Sequence, residues 1–190
     1  EIVRRLPEAG AAVNQAHVSG ATPLFIACER GHVEIARLLL EAGAAADEAA
    51  EDGATPLLAA CHNGHLEIAR LLLAAGAAVC QARNNGVTPL LMACHFGQLE
   101  IAKLLSSYGA SRAATPFGTP EEAASSQGHA DLAAWLVASR GWPPLAPPES
   151  RPAARALSLL RSGASLHEGE PTPLQRAVGG EGEAAALIRR

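Results

Sequence analysis

The sequence predicts an all-α protein built from pairs of short helices that repeat along the chain and stack on one another. Residues 21–47 and 54–80 are identical at 19 of 27 positions. Thr22, Thr55 and Thr88 mark the period, because each is followed by Pro and Leu and successive threonines are 33 residues apart. The chain is 48% hydrophobic but only 3% aromatic, so aliphatic residues must form its core. Such a core favours closely packed helices over strands.

Each unit is predicted to begin with a helix whose two ends are marked. Thr22 is a good N-cap residue, and Pro23 suits the first helical turn because its fixed φ matches the helix. Gly31 predicts the end of this helix, since glycine readily adopts the positive φ of a C-terminal cap. A fourth unit begins at Thr119, which follows Thr88 after a shorter step of 31 residues.

A second helix is predicted to begin near Val33 and to end at Gly43. Two helices of this length cannot form a domain alone, whereas stacked copies bury one apolar stripe against the next. Pairs of opposite charge three residues apart are expected to face solvent, as Glu34–Arg37, Glu67–Arg70 and Glu100–Lys103. The expected apolar stripe of this helix consists of Ile35, Leu38, Leu39 and Ala42.

The repeated motif resembles that of the ankyrin-repeat family. It contains G-x-T-P-L, the small pair Ala-Cys, G-H, E-I-A-R-L-L-L and G-A at a period of 33 residues. The resemblance implies a solenoid of stacked helix-turn-helix units joined by β-turn or hairpin loops. It covers four units, at 20–52, 53–85, 86–116 and 117–141. The family's His after Thr-Pro-Leu is replaced by Phe25, Leu58, Leu91 and Glu122.

The two ends of the chain depart from this pattern. Residues 1–19 match the second helix and loop of a preceding unit, and Pro7 is expected to break that helix near its end. Residues 142–170 are interpreted as a degenerate, proline-rich repeat and 171–190 as a partial C-terminal repeat. In the alternative interpretation, the prolines of 141–152 form an interdomain linker or hinge, followed by a separate short array.

Composition and charge argue against several classes of function. A net charge of −4 without a run of like charges gives no footprint for nucleic acid. The longest uncharged apolar run, 71–80, is about half of the roughly 20 residues that a membrane helix needs. The four cysteines come without a secretory signal. We therefore expect a monomer in a reducing compartment, the cytoplasm or the nucleus.

The cysteines follow the period. Cys28, Cys61 and Cys94 each lie six residues after the unit's Thr, at a slot where a small apolar residue suits a tight helix contact. We expect these three to be buried and unbridged, because equivalent helices should lie about 8–10 Å apart, too far for a disulfide. Cys80 lies in a loop and is expected to be more reactive.

The stretch CHNGH at 61–65 places a thiol and two imidazoles within five residues, which suggests a zinc site. His65, however, recurs with the fold at His32 and His129, and such a residue is expected to bond the loop backbone. Cys61 should point into the stack and His62 outward, whereas zinc needs about four converging ligands. No metal and no cofactor is therefore predicted. The sequence also lacks a nucleophile elbow and a phosphate loop, so no enzyme activity is predicted.

The surface predicted to bind a partner is the concave face, which the resemblance assigns to the loop tips and the exposed part of the first helices. Phe96 is the most informative residue there, because an exposed aromatic side chain suits a binding anchor. The alternative for Phe96 is a contact with the next loop near Phe117, and for His62 it is a solvated helix end. The predicted partner-binding residues are Glu29, Arg30, Glu51, Asp52, His62, Asn63, Asn84, Asn85, His95, Phe96, Ser126 and Gln127.

We therefore expect a non-enzymatic scaffold for protein–protein interaction that binds a protein partner on this face. Glu51 and Asp52, beside His62 and His95, favour a partly basic partner. The alternative is the recruitment arm of a larger multidomain protein, such as a ubiquitin-ligase adaptor or a kinase. That alternative rests on the missing initiator Met and on a chain that starts and ends within repeats.

Overall fold

The computed structural model describes residues 13–140, and within that range eight α-helices form four pairs without any strand. One pair lies within each of the four predicted units, here called units 1 to 4. The predictions for residues 1–12 and 141–190, including those for 142–170 and 171–190, concern residues outside the described range. The helices are α1 (Pro23–Arg30), α2 (Val33–Glu41), α3 (Pro56–Asn63), α4 (Leu66–Ala74), α5 (Pro89–His95), α6 (Leu99–Ser107), α7 (Pro120–Ser126) and α8 (Ala130–Ala138).

The predicted N-caps are confirmed in all four units. In unit 1, the side-chain oxygen of Thr22 accepts a hydrogen bond of 3.1 Å from the backbone N–H of Phe25, and Thr55, Thr88 and Thr119 do the same in their units. Unit 4 adds a second bond, because the Glu122 carboxylate accepts from the Thr119 N–H at 2.8 Å. This capping box satisfies two backbone donors that a helix start otherwise leaves unpaired.

The prediction for the apolar stripe of α2 was wrong except at Leu39. The helix buries Ala36, Leu39 and Leu40, whereas Ile35 is 39% exposed. In α4 the residue equivalent to Ile35, Ile68, is fully buried, because α4 packs between α2 and α6. The buried positions of α2 thus lie about one residue beyond the predicted stripe, and the equivalent positions Ala69, Leu72 and Leu73 are buried in α4 as well. Leu38 and Ala42 of the predicted stripe are half-buried.

The stack is built by like helices packing on like. The first helices pack in the order α1, α3, α5 and α7, and α2, α4 and α6 pack in parallel with them. The core contains three free thiols with no exposed surface, those of Cys28, Cys61 and Cys94. The predicted burial of these cysteines is confirmed. Burial raises the pKa of the Cys28 and Cys94 thiols to about 12, and raises that of Cys61 as well.

Histidines after the helix turn join neighbouring units. The Nε2 of His65 lies 3.1 Å from the carbonyl oxygen of Glu29, and the Nε2 of His129 lies 3.1 Å from that of His95. A carbonyl oxygen only accepts, so the ring nitrogen donates in both bonds. The predicted backbone bond is confirmed for these two residues, and its acceptor is the end of the preceding unit's first helix.

A second set of hydrogen bonds joins the loops that follow the second helices. One side chain in each loop accepts from a backbone N–H in the next, about one repeat further along the chain. An oxygen accepts in the first two cases and a sulfur, at a longer distance, in the third. The pairs are Asn14 with Ala45 (2.9 Å), Asp47 with Ala78 (2.8 Å) and Cys80 with Ser111 (3.3 Å).

The loop tips 17–20, 50–53, 83–86 and 115–118 each end in a glycine with positive φ, whose N–H bonds back to the first residue of the tip. Adjacent tips are also joined, because the Glu51 N–H donates to the Ser19 carbonyl and the Asn84 N–H to the Asp52 carbonyl. The equivalent residue of the tip 115–118 is Pro116, which has no N–H to donate. The series of tip-to-tip bonds therefore stops before unit 4.

Candidate partner-binding grooves

The floor of the concave face is set by the fourth residue of each first helix. These residues alternate between large and small side chains, as Ile26, Ala59, Met92 and Ala123. Two depressions result. Groove A, of about 630 Å³, contains Ala59 between Ile26 and Met92. Groove B, of about 470 Å³, lies beyond Met92 and contains Ala123.

Groove A has polar walls. Six of the predicted partner-binding residues line it, and all six are exposed. Its charged side chains are of both signs, so the groove does not favour a partner of one charge strongly. The six predicted residues are Glu29, Arg30, Glu51, Asp52, His62 and Asn63.

An ion pair lies between the two grooves. The guanidinium of Arg83 donates to a carboxylate oxygen of Asp52, and the Ala54 N–H donates to the other oxygen at 2.9 Å. Both bonds lower the pKa of Asp52, and the bond from the Ala54 N–H has the larger effect. Arg83, His62 and Met92 line both grooves and therefore form the ridge that separates them.

Groove B is more apolar and carries two exposed aromatic residues, Phe96 at 41% and Phe117 at 57%. The ring of Phe96 makes edge-to-face contacts with His62, at a centroid distance of 4.5 Å, and with His95, at 4.9 Å. Two histidines thus hold Phe96 at the groove wall, an arrangement that aromatic rings prefer over face-to-face stacking. Phe96 and Phe117 line the same groove.

The remaining predicted residues divide into two groups. Ser126 and Gln127 line groove B with Phe96 and His95. Asn84 and Asn85 are exposed but line neither groove. The Asn84 amide donates to the Glu51 carbonyl at 3.0 Å, and the Asn85 side chain accepts from the Val87 N–H at 3.1 Å. Both asparagines therefore stabilise the loop tips.

The groove residues that sequence reasoning missed include Arg83, Met92 and Phe117. Phe117 occupies the third position of the tip 115–118, as Asp52 does in the tip 50–53. Alignment on the Gly that ends each tip would have revealed this, whereas alignment on Thr119 places the shortened loop out of register. The alternation that makes Met92 a ridge is also visible in the sequence, once the fourth helix positions are compared.

The cluster at 61–65 is separated in space. Cys61 lies in the core, the His65 ring bonds the Glu29 carbonyl, and the His62 ring contacts Phe96. Within residues 13–140, no group of three or more His, Cys, Asp or Glu side chains is placed to hold a metal ion. The three side chains therefore serve the core, the stack and the concave face separately.

Two family models match the chain. One, described as ankyrin repeats in three copies, matches residues 1–83, and one described as an ankyrin repeat matches 85–115. The chain therefore belongs to the ankyrin-repeat family, whose repeats are in general protein–protein interaction modules and typically lack enzyme activity. Unit 4 lies beyond the matched residues but has the same Thr-Pro cap. No curated protein gives a significant match to the sequence.

None of the helices within residues 13–140 combines the length and the apolar character that crossing a lipid bilayer requires.

Proposed function

We propose that this chain is a non-enzymatic scaffold that binds a protein partner on its concave face, across grooves A and B. The observation that carries the proposal is the alternation of large and small side chains along the floor of that face. It creates two depressions separated by Met92, on a surface whose backbone is held by hydrogen bonds between units. A rigid surface with paired depressions suits a folded partner or a peptide, because little order has to be gained on binding.

The composition of the grooves supports a protein partner. Groove B presents exposed aromatic side chains, and large aromatic residues are the side chains that most often dominate binding energy at interfaces. Groove A presents charged and amide side chains, which contribute specificity and the rate of encounter more than affinity. Together they resemble the apolar centre and polar rim of a protein interface.

The experiment uses two substitutions that fill the grooves. Ala59→Met fills groove A and Ala123→Met fills groove B, and both are compatible with the fold because unit 3 carries Met92 at the equivalent position. Each variant is used as bait for affinity capture from an extract of the source cells, followed by quantitative mass spectrometry. Partners of the wild-type chain should be lost from the bait that carries both substitutions.

The matched control is Ala74→Met, the same change at an exposed position of α4 that lines neither groove. It should capture the same proteins as the wild-type chain. Circular dichroism melts of all baits establish that they are folded. Capture that is equal for the wild-type chain and for the doubly substituted chain would disprove binding through the grooves.

The alternative role, a recruitment arm of a larger multidomain protein, stays a prediction. It is compatible with binding through the same grooves. Sequencing the full open reading frame on both sides of residues 1–190 tests it, and an open reading frame without a further domain would contradict it.

A further inference from the structure

We propose that groove B binds a segment of the partner in which a large apolar side chain is flanked by carboxylates. This inference rests on the proposed function and specifies the chemistry of one of the two grooves. It concerns the apolar anchor residue and the charge of its neighbours in the partner.

The apolar anchor follows from the lining of groove B. Its floor and walls include Val87, Leu91, Met92, Ala123 and the two phenylalanines. Its volume of about 470 Å³ falls within the range of roughly 300–1,000 Å³ that is usual for binding sites. An aliphatic or aromatic side chain placed there would remove the exposed surfaces of Phe96 and Phe117 from water, which stabilises the complex through the hydrophobic effect.

The preference for carboxylates follows from the charges around that floor. Arg83, His62 and His95 are the ionisable side chains that line groove B, and none of the lining residues is acidic. Arg83 has five N–H donors and gives one to Asp52, so further donors are open to a ligand. A carboxylate next to the anchor would accept from the Arg83 guanidinium, whereas an ammonium would find no acidic side chain in the lining to pair with.

The acidic residues near groove B are already engaged within the protein. Asp52 pairs with Arg83, Glu121 pairs with Arg140 at 3.3 Å, and Glu122 accepts from the Thr119 N–H. They therefore reduce the positive character of the groove without offering a site for a cation. The partly basic partner expected from Glu51 and Asp52 fits groove A at most, since Glu51 lines groove A and not groove B.

The test uses three short peptides, blocked at both ends, as probes of the full chain. The first has one Phe between two Glu on each side, the second has Lys in place of Glu, and the third has Ala in place of Phe. Dissociation constants come from amide chemical-shift titrations. The Glu-flanked Phe peptide should bind at least about threefold tighter than the Lys-flanked one, with a difference that shrinks at high salt. The Ala peptide should not bind measurably.

Variants locate the binding. Ala123→Met should weaken the Glu-flanked Phe peptide at least about tenfold, the loss expected when an apolar anchor of about 1.4 kcal/mol is excluded. Ala59→Met should leave its dissociation constant within about twofold, and His95→Glu should abolish the preference for Glu over Lys. If Ala123→Met lowers the melting temperature, Phe96→Ala serves as a second variant, because it replaces an exposed side chain. It should weaken binding of the Glu-flanked Phe peptide to the same extent.

Three results would overturn the inference: equal affinity of the wild-type chain and Ala123→Met, tighter binding of the Lys-flanked peptide, or no binding of any peptide. They differ from a failure of the proposed function. A cellular partner that is lost with Ala59→Met and retained with Ala123→Met would keep the scaffold proposal and refute an anchor in groove B.

Discussion

Replacing His65 with Ala should destabilise the stack measurably, although His65 is only half-buried. The substitution removes the 3.1 Å hydrogen bond to the Glu29 carbonyl, worth about 0.5–1.5 kcal/mol. It also removes the contact between the ring and Gly31, where an added Cβ would meet the ring at 2.7 Å. Together these losses should lower the free energy of unfolding by about 1–2 kcal/mol, because the end of α1 is left partly hydrated.

The structure supplies a matched control for this prediction. Gln98 occupies the equivalent position of unit 3 and lies against Gly64 as His65 lies against Gly31. His65→Gln should therefore retain most of the stability and lose less than about 0.5 kcal/mol. Urea titrations followed by far-UV circular dichroism compare the three proteins. The reasoning is refuted if Ala is as stable as His, or if Gln is as destabilising as Ala.

Four further predictions follow from single contacts. Cys80→Asn should raise the free energy of unfolding by about 0.5–1 kcal/mol, measured in a thermal melt. Asn14, at the equivalent position, accepts its loop hydrogen bond through oxygen, whereas Cys80 accepts through the weaker acceptor sulfur. An unchanged melt would contradict this. Arg112→Ala should lower hydrogen-exchange protection of the α8 amides about tenfold, since Arg112 donates to the Leu136 carbonyl at 2.8 Å. Equal protection in the variant and the wild-type chain would show that this bond does not stabilise α8. At pH 8 a thiol reagent should label Cys80 rapidly and the three buried cysteines only after denaturation. Burial raises the pKa of Cys61 and of its equivalents, so these groups stay protonated and unreactive. Rapid labelling of all four cysteines would be inconsistent with burial of three of them. Asp52→Asn should lower the melting temperature at pH 7. The difference from the wild-type chain should shrink as the pH falls below about 3.9 and through the lower pKa of Asp52 in the folded chain, because the protonated carboxyl loses its stabilising bonds; a difference that stays constant with pH would exclude this role.

The repeat and its helix ends could be predicted because they depend on local chemistry. A Thr that accepts from the backbone three residues later, a Pro in the first turn and a Gly with positive φ act within one helix, so Thr22, Pro23 and Gly31 suffice to locate α1. The buried face of α2 could not be placed correctly in this way. Whether Ile35 is buried depends on which helices flank α2, since its counterpart Ile68 is fully buried in α4, which packs between α2 and α6.

The exposure of the candidate residues was predicted, but the shape of the grooves was not. Exposure at helix ends and tips follows from the period, and all twelve predicted residues are exposed. The grooves, in contrast, arise from differences between units at one helix position, where Ala123 leaves space that Met92 fills. Asn84 and Asn85 illustrate the same limit, because their polar side chains bond neighbouring loop backbone and are not directed to either groove.

Pro116 has an effect on cooperativity that reaches beyond its own loop. In a linear stack, stability is a sum of unit terms and nearest-neighbour terms, so the junction with fewer bonds is where the stack separates first. At the loop tips, the junction of units 3 and 4 lacks the bond that the other two junctions have, although His129 and Arg112 join these units elsewhere. Groove B spans this junction, with Phe96 on one side and Phe117 on the other. A ligand bound in groove B would therefore contact both units and stabilise their junction, so that unit 4 would unfold cooperatively with the other units.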